Sequence, residues 1–144
     1  MGVTRRGKGC KIMAVADRAG LPVAVHVGSA APAEVTLVHP LLAARFTAAL
    51  PARLIGDRAY DSDPLDRELA RLGVELIAPN RRNRRKTQDG RPLRRYRRRW
   101  KIERLNAWLQ NSRRVLVRHD YYLENYTGFV HLACILILLR AFVR

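Results

Sequence analysis

Apolar and polar positions alternate along two early stretches of the chain. Lys11 to Ala16 and Leu21 to Val27 are rich in Val and Ile and are separated by Asp17-Arg18-Ala19-Gly20, a turn composition. This pattern predicts a hairpin. Pro32-Ala33-Glu34 then opens a segment in which Val35, Leu37, Val38, Leu41, Leu42 and Phe46 recur at helical spacing toward Pro51, with Glu34 in the first turn, where the helix dipole favours a carboxylate. Pro40 lies inside that pattern and either kinks the helix or resets its start.

Arg53-Leu54-Ile55-Gly56-Asp57 is a brief apolar run ending on an acid, so Asp57 is expected at the carboxyl end of a strand. Asp63-Pro64 reads as an N-cap followed by proline at the first helical position. Leu65, Leu69 and Leu72 form the inner face of that helix up to Gly73, and Val74 to Ala78 returns as a strand. Strand, helix and strand with short connections predict a parallel crossover, in which functional residues gather at the carboxyl ends of the strands.

Asn80 to Arg95 has no apolar period and reads as a long solvated loop. Tyr96 to Gln110 holds no Pro or Gly and reads as one helix. At ~100° per residue, Tyr96, Arg99, Glu103 and Gln110 share an arc of ~60°, while Ile102, Leu105 and Leu109 form a separate stripe able to pack on a sheet. Phe129 and Val130 followed by Leu132 to Leu139 form the longest apolar run. It falls short of the ~20 residues a membrane span requires and is expected to be a buried terminal helix.

Charge changes the picture. The 144 residues carry 28 Lys and Arg against 12 Asp and Glu, a formal +16, and 48% of them are hydrophobic, enough to close a core in one domain spanning 1–144. Arg81 to Arg104 alone holds 13 basic residues and two acids, or +11 of that total. A charge run is often only a solvated face. Here self-repulsion at this density would be relieved by displacing counterions from phosphates, and the preference for Arg over Lys suits bidentate phosphate contacts. Arg81, Arg82, Arg84 and Arg85 are the candidate nucleic-acid contacts in this run.

Cys10 and Cys134 are far apart and are read as reduced core thiols, and the four histidines lack metal-ligand spacing. Trp100 and Trp108 are assigned to packing before base stacking, and Asp61 and Asp63 to capping the next helix. The basic start lacks the apolar stretch of an export signal, which points to a cytoplasmic, nucleoid-associated protein. Asp57 and Glu103 admit two readings. Each is either an ion-pair partner among the arginines, or both point into one cleft, the arrangement that holds a hard divalent cation beside a phosphate.

Gly-Asp57-Arg-Ala-Tyr60-Asp61-Ser, the following Ala-Pro-Asn-Arg-Arg-Asn, the Tyr96, Arg99, Glu103 series and Phe129-Val130-His131-Leu132 together resemble the carboxyl-terminal part of a bacterial insertion-sequence transposase of the DDE type. The resemblance implies an α/β fold of ribonuclease-H-like type, a mixed sheet flanked by helices. It further implies that Asp57 and Glu103 are the second and third members of a metal-binding carboxylate triad. Magnesium, or manganese in its place, would be the cofactor, and double-stranded DNA at insertion-sequence ends and at the target would be the partner, with no membrane and with oligomers allowed.

Two departures stand out. The family's signature makes Tyr96, Arg99 and the position of Gln110 DNA contacts, but Gln110 occupies the place of the family's Lys, and an amide can hydrogen-bond DNA without neutralising a phosphate. The family's first aspartate lies on a strand before the predicted hairpin, where this chain has only the linker-like Gly2 to Gly9, and Asp17 in a turn is a poor substitute. The expectation is therefore an incomplete or frameshifted part of a transposase, joined to an upstream-encoded piece, or a decayed copy. The alternatives are a non-enzymatic basic nucleic-acid-binding domain and a cationic membrane-surface protein.

Overall fold

The computed structural model describes residues 2–4, 7–82 and 93–143, with side chains over 9–82 and 96–143. Among these residues five strands fall into two sheets, accompanied by five α-helices. The predicted hairpin is β2 (Gly7–Ala16) and β3 (Pro22–Ser29), antiparallel, with Lys11 opposite Gly28 and Met13 opposite His26. Its turn closes because Asp17 Oδ1 accepts from the amides of Ala19 and Leu21, both at 2.8 Å, and Gly20 takes the left-handed conformation (φ +84°) that a side chain would resist. Gly2–Thr4, expected to be linker, instead forms β1, paired antiparallel with Gly7 to Gly9 on the edge of β2 away from β3.

The helical pattern after Pro32 resolves the choice that Pro40 left open. A 3₁₀ turn (Glu34–Leu37) precedes α1 (Val38–Ala43), and Pro40 sits in the first turn of α1, where its missing N–H would have had no intrahelical partner. The α-helix is thus reset at Val38 and ends at Ala43, well before Pro51.

β4 (Arg53–Ile55) and β5 (Glu75–Ile77) pair in parallel, joined by α2 (Asp63–Arg71), as the crossover pattern predicted. The N-cap of α2 differs from expectation. Ser62 holds the extended cap geometry and its Oγ accepts from Leu65 N at 3.5 Å, so Asp63 and Pro64 occupy the first turn. Gly73 (φ +75°) ends the helix region.

α3 (Trp100–Gln110) is followed by α4 (Arg113–Leu116) and α5 (Leu123–Phe142). The single helix expected from Tyr96 does not form as such. Leu93–Arg99 is a 3₁₀ helix that turns into α-helix at Trp100, with Arg99 in αR geometry at the junction.

Side chains of β2 alternate between two layers. Ile12, Ala14 and Ala16, with Val25 and Val27 of β3, pack on Leu105, Leu109, Val115, Tyr126, Val130, Cys134 and Ile137 of α3 to α5. Met13 and Val15 face Leu37 and Leu41 on the other side. A third cluster joins α1 and α2 to β4 and β5 through Val38, Leu42, Leu65, Leu69, Val74 and Leu76. The result is the mixed α/β arrangement predicted, with helices on both faces of the strands.

The predicted Ile102, Leu105 and Leu109 stripe is the packing face of α3. Leu105 is fully buried and Leu109 nearly so, each worth about 2 kcal/mol by apolar burial. α5 is longer than the apolar run suggested, and only five of its twenty residues are buried. Leu132, Ile135, Leu136, Leu139 and Phe142 remain exposed, and by length and composition alone the helix could cross a membrane. Both cysteines are free, and burial pushes the Cys134 thiol up to about 11.

Candidate functional site

Asp57 follows β4 by two residues, and its backbone is extended. Its side chain caps the 3₁₀ turn Arg58–Tyr60, with Oδ1 accepting from Ala59 N at 2.8 Å. One carboxylate oxygen is thereby fixed by the backbone while the other is left for a ligand. Gly56 makes the turn possible, because a Cβ at that position would lie 2.8 Å from the ring of Tyr60. Gly56→Ala should therefore destabilise the protein by about 1–3 kcal/mol through displacement of a well-packed ring, read as a lowered melting temperature. Alongside it, Tyr60→Ala/Gly56→Ala should cost less than the sum of the two single changes.

Tyr60 reaches across to the hairpin, its hydroxyl 3.9 Å from Met13 Sδ. Burial first, then the negative charges of Glu34 and Asp57, raise the phenol above its usual range, so at neutral pH it is a proton donor.

Arg81 and Asp61 brace the same turn from the other side. Asp61, buried, accepts from Arg81 N at 2.8 Å, and the Arg81 guanidinium donates to Arg58 O at 3.3 Å and Ala59 O at 2.8 Å. Asp61 thus ties β5's exit to the Asp57 turn, where sequence reading had assigned it to capping α2. Arg81, a candidate DNA contact, spends its donors within the chain. Arg82 is exposed, and Arg84 and Arg85 lie outside the described residues.

Glu103 projects from the first turn of α3. Arg99, one turn earlier, approaches it with Nη2 at 2.5 Å from Oε1, and the Arg99 guanidinium lies 5.8 Å from the Tyr96 ring centre. Both partners of this pair are more than a third exposed, so it is worth no more than about 0.5 kcal/mol and would yield readily to a cation or a phosphate. Tyr96, Arg99 and Glu103 are therefore neighbours as the stripe suggested. Gln110 is exposed at the far end of α3, two turns beyond Glu103.

α3 is clamped to the hairpin turn by residues that sequence reading left unassigned. The Lys101 ammonium donates to Arg18 O and the Arg104 guanidinium to Ala19 O. Arg104 is stacked between the rings of Trp100 and Trp108, 4.8 and 4.7 Å from their centres. The i, i+4 spacing of Arg104 to each tryptophan was the available signal, since side chains four apart share one helix face.

Asp57 and Glu103 line one cavity of about 240 Å³, whose wall also includes Lys11, Glu34, Tyr60 and Arg99. The sequence placed these two acids 46 positions apart, and the fold brings them to one opening. Carboxylates are the donors a hard divalent cation takes, and among the described residues only Oδ1 of Asp57 has a hydrogen-bond partner, so the donor set fits such an ion in kind. It is short in number, because among the described residues no three acidic, His or Cys side chains converge closely enough to hold a metal. Glu34, the third acid on the wall, is drawn to Lys11 at 3.6 Å.

The profile of the family described as "Transposase DDE domain" matches residues 2–139. A candidate transposase for insertion sequence element IS402 of Burkholderia cepacia is 32% identical over 141 residues, covering 92% of this chain and 64% of the relative. The chain thus spans less than two thirds of that relative's length. No solved structure matches.

Proposed function

Because the chain belongs to the DDE transposase family, whose catalytic fold is ribonuclease-H-like, we propose that it is part of an enzyme that cuts insertion-sequence ends and joins them to target DNA. The observation that carries this reading is the shared cavity of Asp57 and Glu103 with Lys11 and Arg99 beside it. Anionic oxygen donors and cationic side chains at one opening suit a phosphodiester bound through a divalent cation.

In this reading Asp57 and Glu103 hold magnesium, or manganese in its place. When bound, the ion supplies charge stabilisation for in-line attack at phosphorus. The chain's own residues prepare the site. Ala59 N–H fixes the Asp57 carboxylate, and Arg81 holds the turn that presents it. Arg99, released from Glu103, is placed to neutralise a phosphate oxygen, and the sequence-adjacent charges of Arg82, Arg84 and Arg85 add to the attraction for a duplex. Tyr60 keeps its proton and can donate to an anionic oxygen.

The test is strand cleavage by a longer protein containing this chain, on duplexes carrying the element ends. Nicking that requires magnesium or manganese supports the proposal. Tight binding with no cleavage under any ion supports instead a non-enzymatic binder, the reading favoured by the absence of a converging third acid among the described residues.

A further inference from the structure

The outer face of α5 carries a regular pattern. Asn125, Gly128, Leu132, Ile135, Leu139 and Phe142 are all exposed, at steps of three, four, three, four and three residues. Tyr126, Val130, Ala133, Cys134 and Ile137 on the opposite side are buried against α3, α4 and the hairpin. Alternating steps of three and four are the seam of a coiled coil, with Asn125, Leu132 and Leu139 at one of its two core positions and Gly128, Ile135 and Phe142 at the other. A seam of this kind is covered by another helix. Inserting α5 into a lipid bilayer, for which its length and composition suffice, would strip the five buried residues from the core.

The seam is complementary to itself in one direction. Laid antiparallel on a second α5, Leu132 meets Ile135, Leu139 meets Gly128 and Phe142 meets Asn125, each pair occurring twice about a two-fold axis level with Ala133 and Cys134. Large side chains thus fall on small or polar ones. A Cβ on Gly128 would meet nothing within 4 Å, so no contact inside the chain calls for glycine there, although glycine weakens a helix. The Glu124 end of one helix comes toward the Arg140 end of the other, and the helix dipoles oppose. In parallel pairing Gly128 would face Gly128, and Glu124 and Arg140 would each meet its like charge. We propose that this face of α5 docks on α5 of a second copy of the chain, in antiparallel register. Leu132, Ile135, Leu136, Leu139, Phe142 and Val143, each about half exposed or more, offer on the order of 600 Å² per copy against the ~800 Å² per partner of a standard interface. The proposal stands apart from the cleavage reading, since neither Asp57 nor Glu103 takes part in it.

The test is sedimentation equilibrium of the full chain, freed of nucleic acid by nuclease, between about 1 and 100 μM. The expected result is a monomer–dimer equilibrium that tightens as salt rises, because each copy carries +16 and screening relieves their repulsion. Association bridged by DNA would weaken with salt instead. Ile135→Glu/Leu139→Glu should raise the dissociation constant at least ~100-fold while the melting temperature of the dilute monomer holds, since both side chains are exposed. Direction is read from disulfides located by peptide mass spectrometry. Gly128→Cys and Leu139→Cys chains should cross-link to each other through the new cysteines when mixed, and neither should do so alone. A monomer at every concentration, a dimer unchanged by the double Glu variant, or a cross-link in a single variant alone would overturn the proposal. Sedimentation with phosphatidylcholine vesicles that the double Glu variant loses would give the face to a lipid surface and overturn it equally.

Discussion

Glu103→Gln should abolish metal-dependent strand cleavage in the completed enzyme while leaving folding and DNA binding intact. The side chain is exposed on the first turn of α3 and its one described ion pair, with Arg99, is a surface pair. Replacing the carboxylate by an amide of the same size thus costs little stability. What it removes is a charged oxygen donor. Losing several kcal/mol of charge stabilisation at the reacting phosphate corresponds to roughly 10³-fold in rate. Asp57→Asn should lower the rate similarly, because the amide oxygen can still accept from Ala59 N–H and preserve the turn. The matched measurements are cleavage rate, duplex affinity and melting temperature for each variant. Parental cleavage in either one would remove that residue from the site.

DNA affinity should be largely independent of sequence and fall steeply with salt. With six phosphates neutralised by the window from Arg81 to Arg104, log K against log salt should have a slope near −5, a loss of ~10³-fold between 50 and 200 mM. The structure refines which arginines contribute. Arg81 already donates to Arg58 O and Ala59 O, so its substitution should disturb the Asp57 turn more than the salt slope. Neutralising Arg82, Arg84 and Arg85 together should flatten the slope by about 3 if each releases one counterion. A flat titration of the parent protein would refute the electrostatic account, and an unchanged slope in the triple variant would place the phosphate contacts elsewhere.

The hairpin, the parallel crossover and the packing face of α3 were legible in the sequence because each rests on a local period: alternation in β2 and β3, and three-to-four spacing in Leu105 and Leu109. Their neighbours were less legible where two local rules competed. Ser62 and Asp63 are both good N-caps, and only the backbone shows that Ser62 takes the position. From Tyr96 to Arg99 the residues are adequate helix formers, and propensity alone does not distinguish a 3₁₀ segment from an α-helix. The apolar run within α5 predicts core, and composition cannot tell a buried stripe from an exposed one.

At the site, the sequence supplied the identities of Asp57 and Glu103 but not what holds them. Arg81 and Asp61 fasten the Asp57 turn, and Lys101 and Arg104 fasten α3 to the hairpin. All four are long-range contacts of charged side chains with backbone groups, which leave no period in a sequence.

The claim at the centre of this account is that Asp57 and Glu103, 46 positions apart, serve one cation. Iron-generated hydroxyl radicals test it most directly. Ferrous ion takes the same oxygen donors as magnesium, and with ascorbate and peroxide it cuts the polypeptide close to where it binds. The account predicts two cuts, one beside Asp57 and one beside Glu103, suppressed together by excess magnesium and both lost in Glu103→Gln. Cutting at one of the two positions alone, or a pattern that Glu103→Gln leaves unchanged, would contradict it.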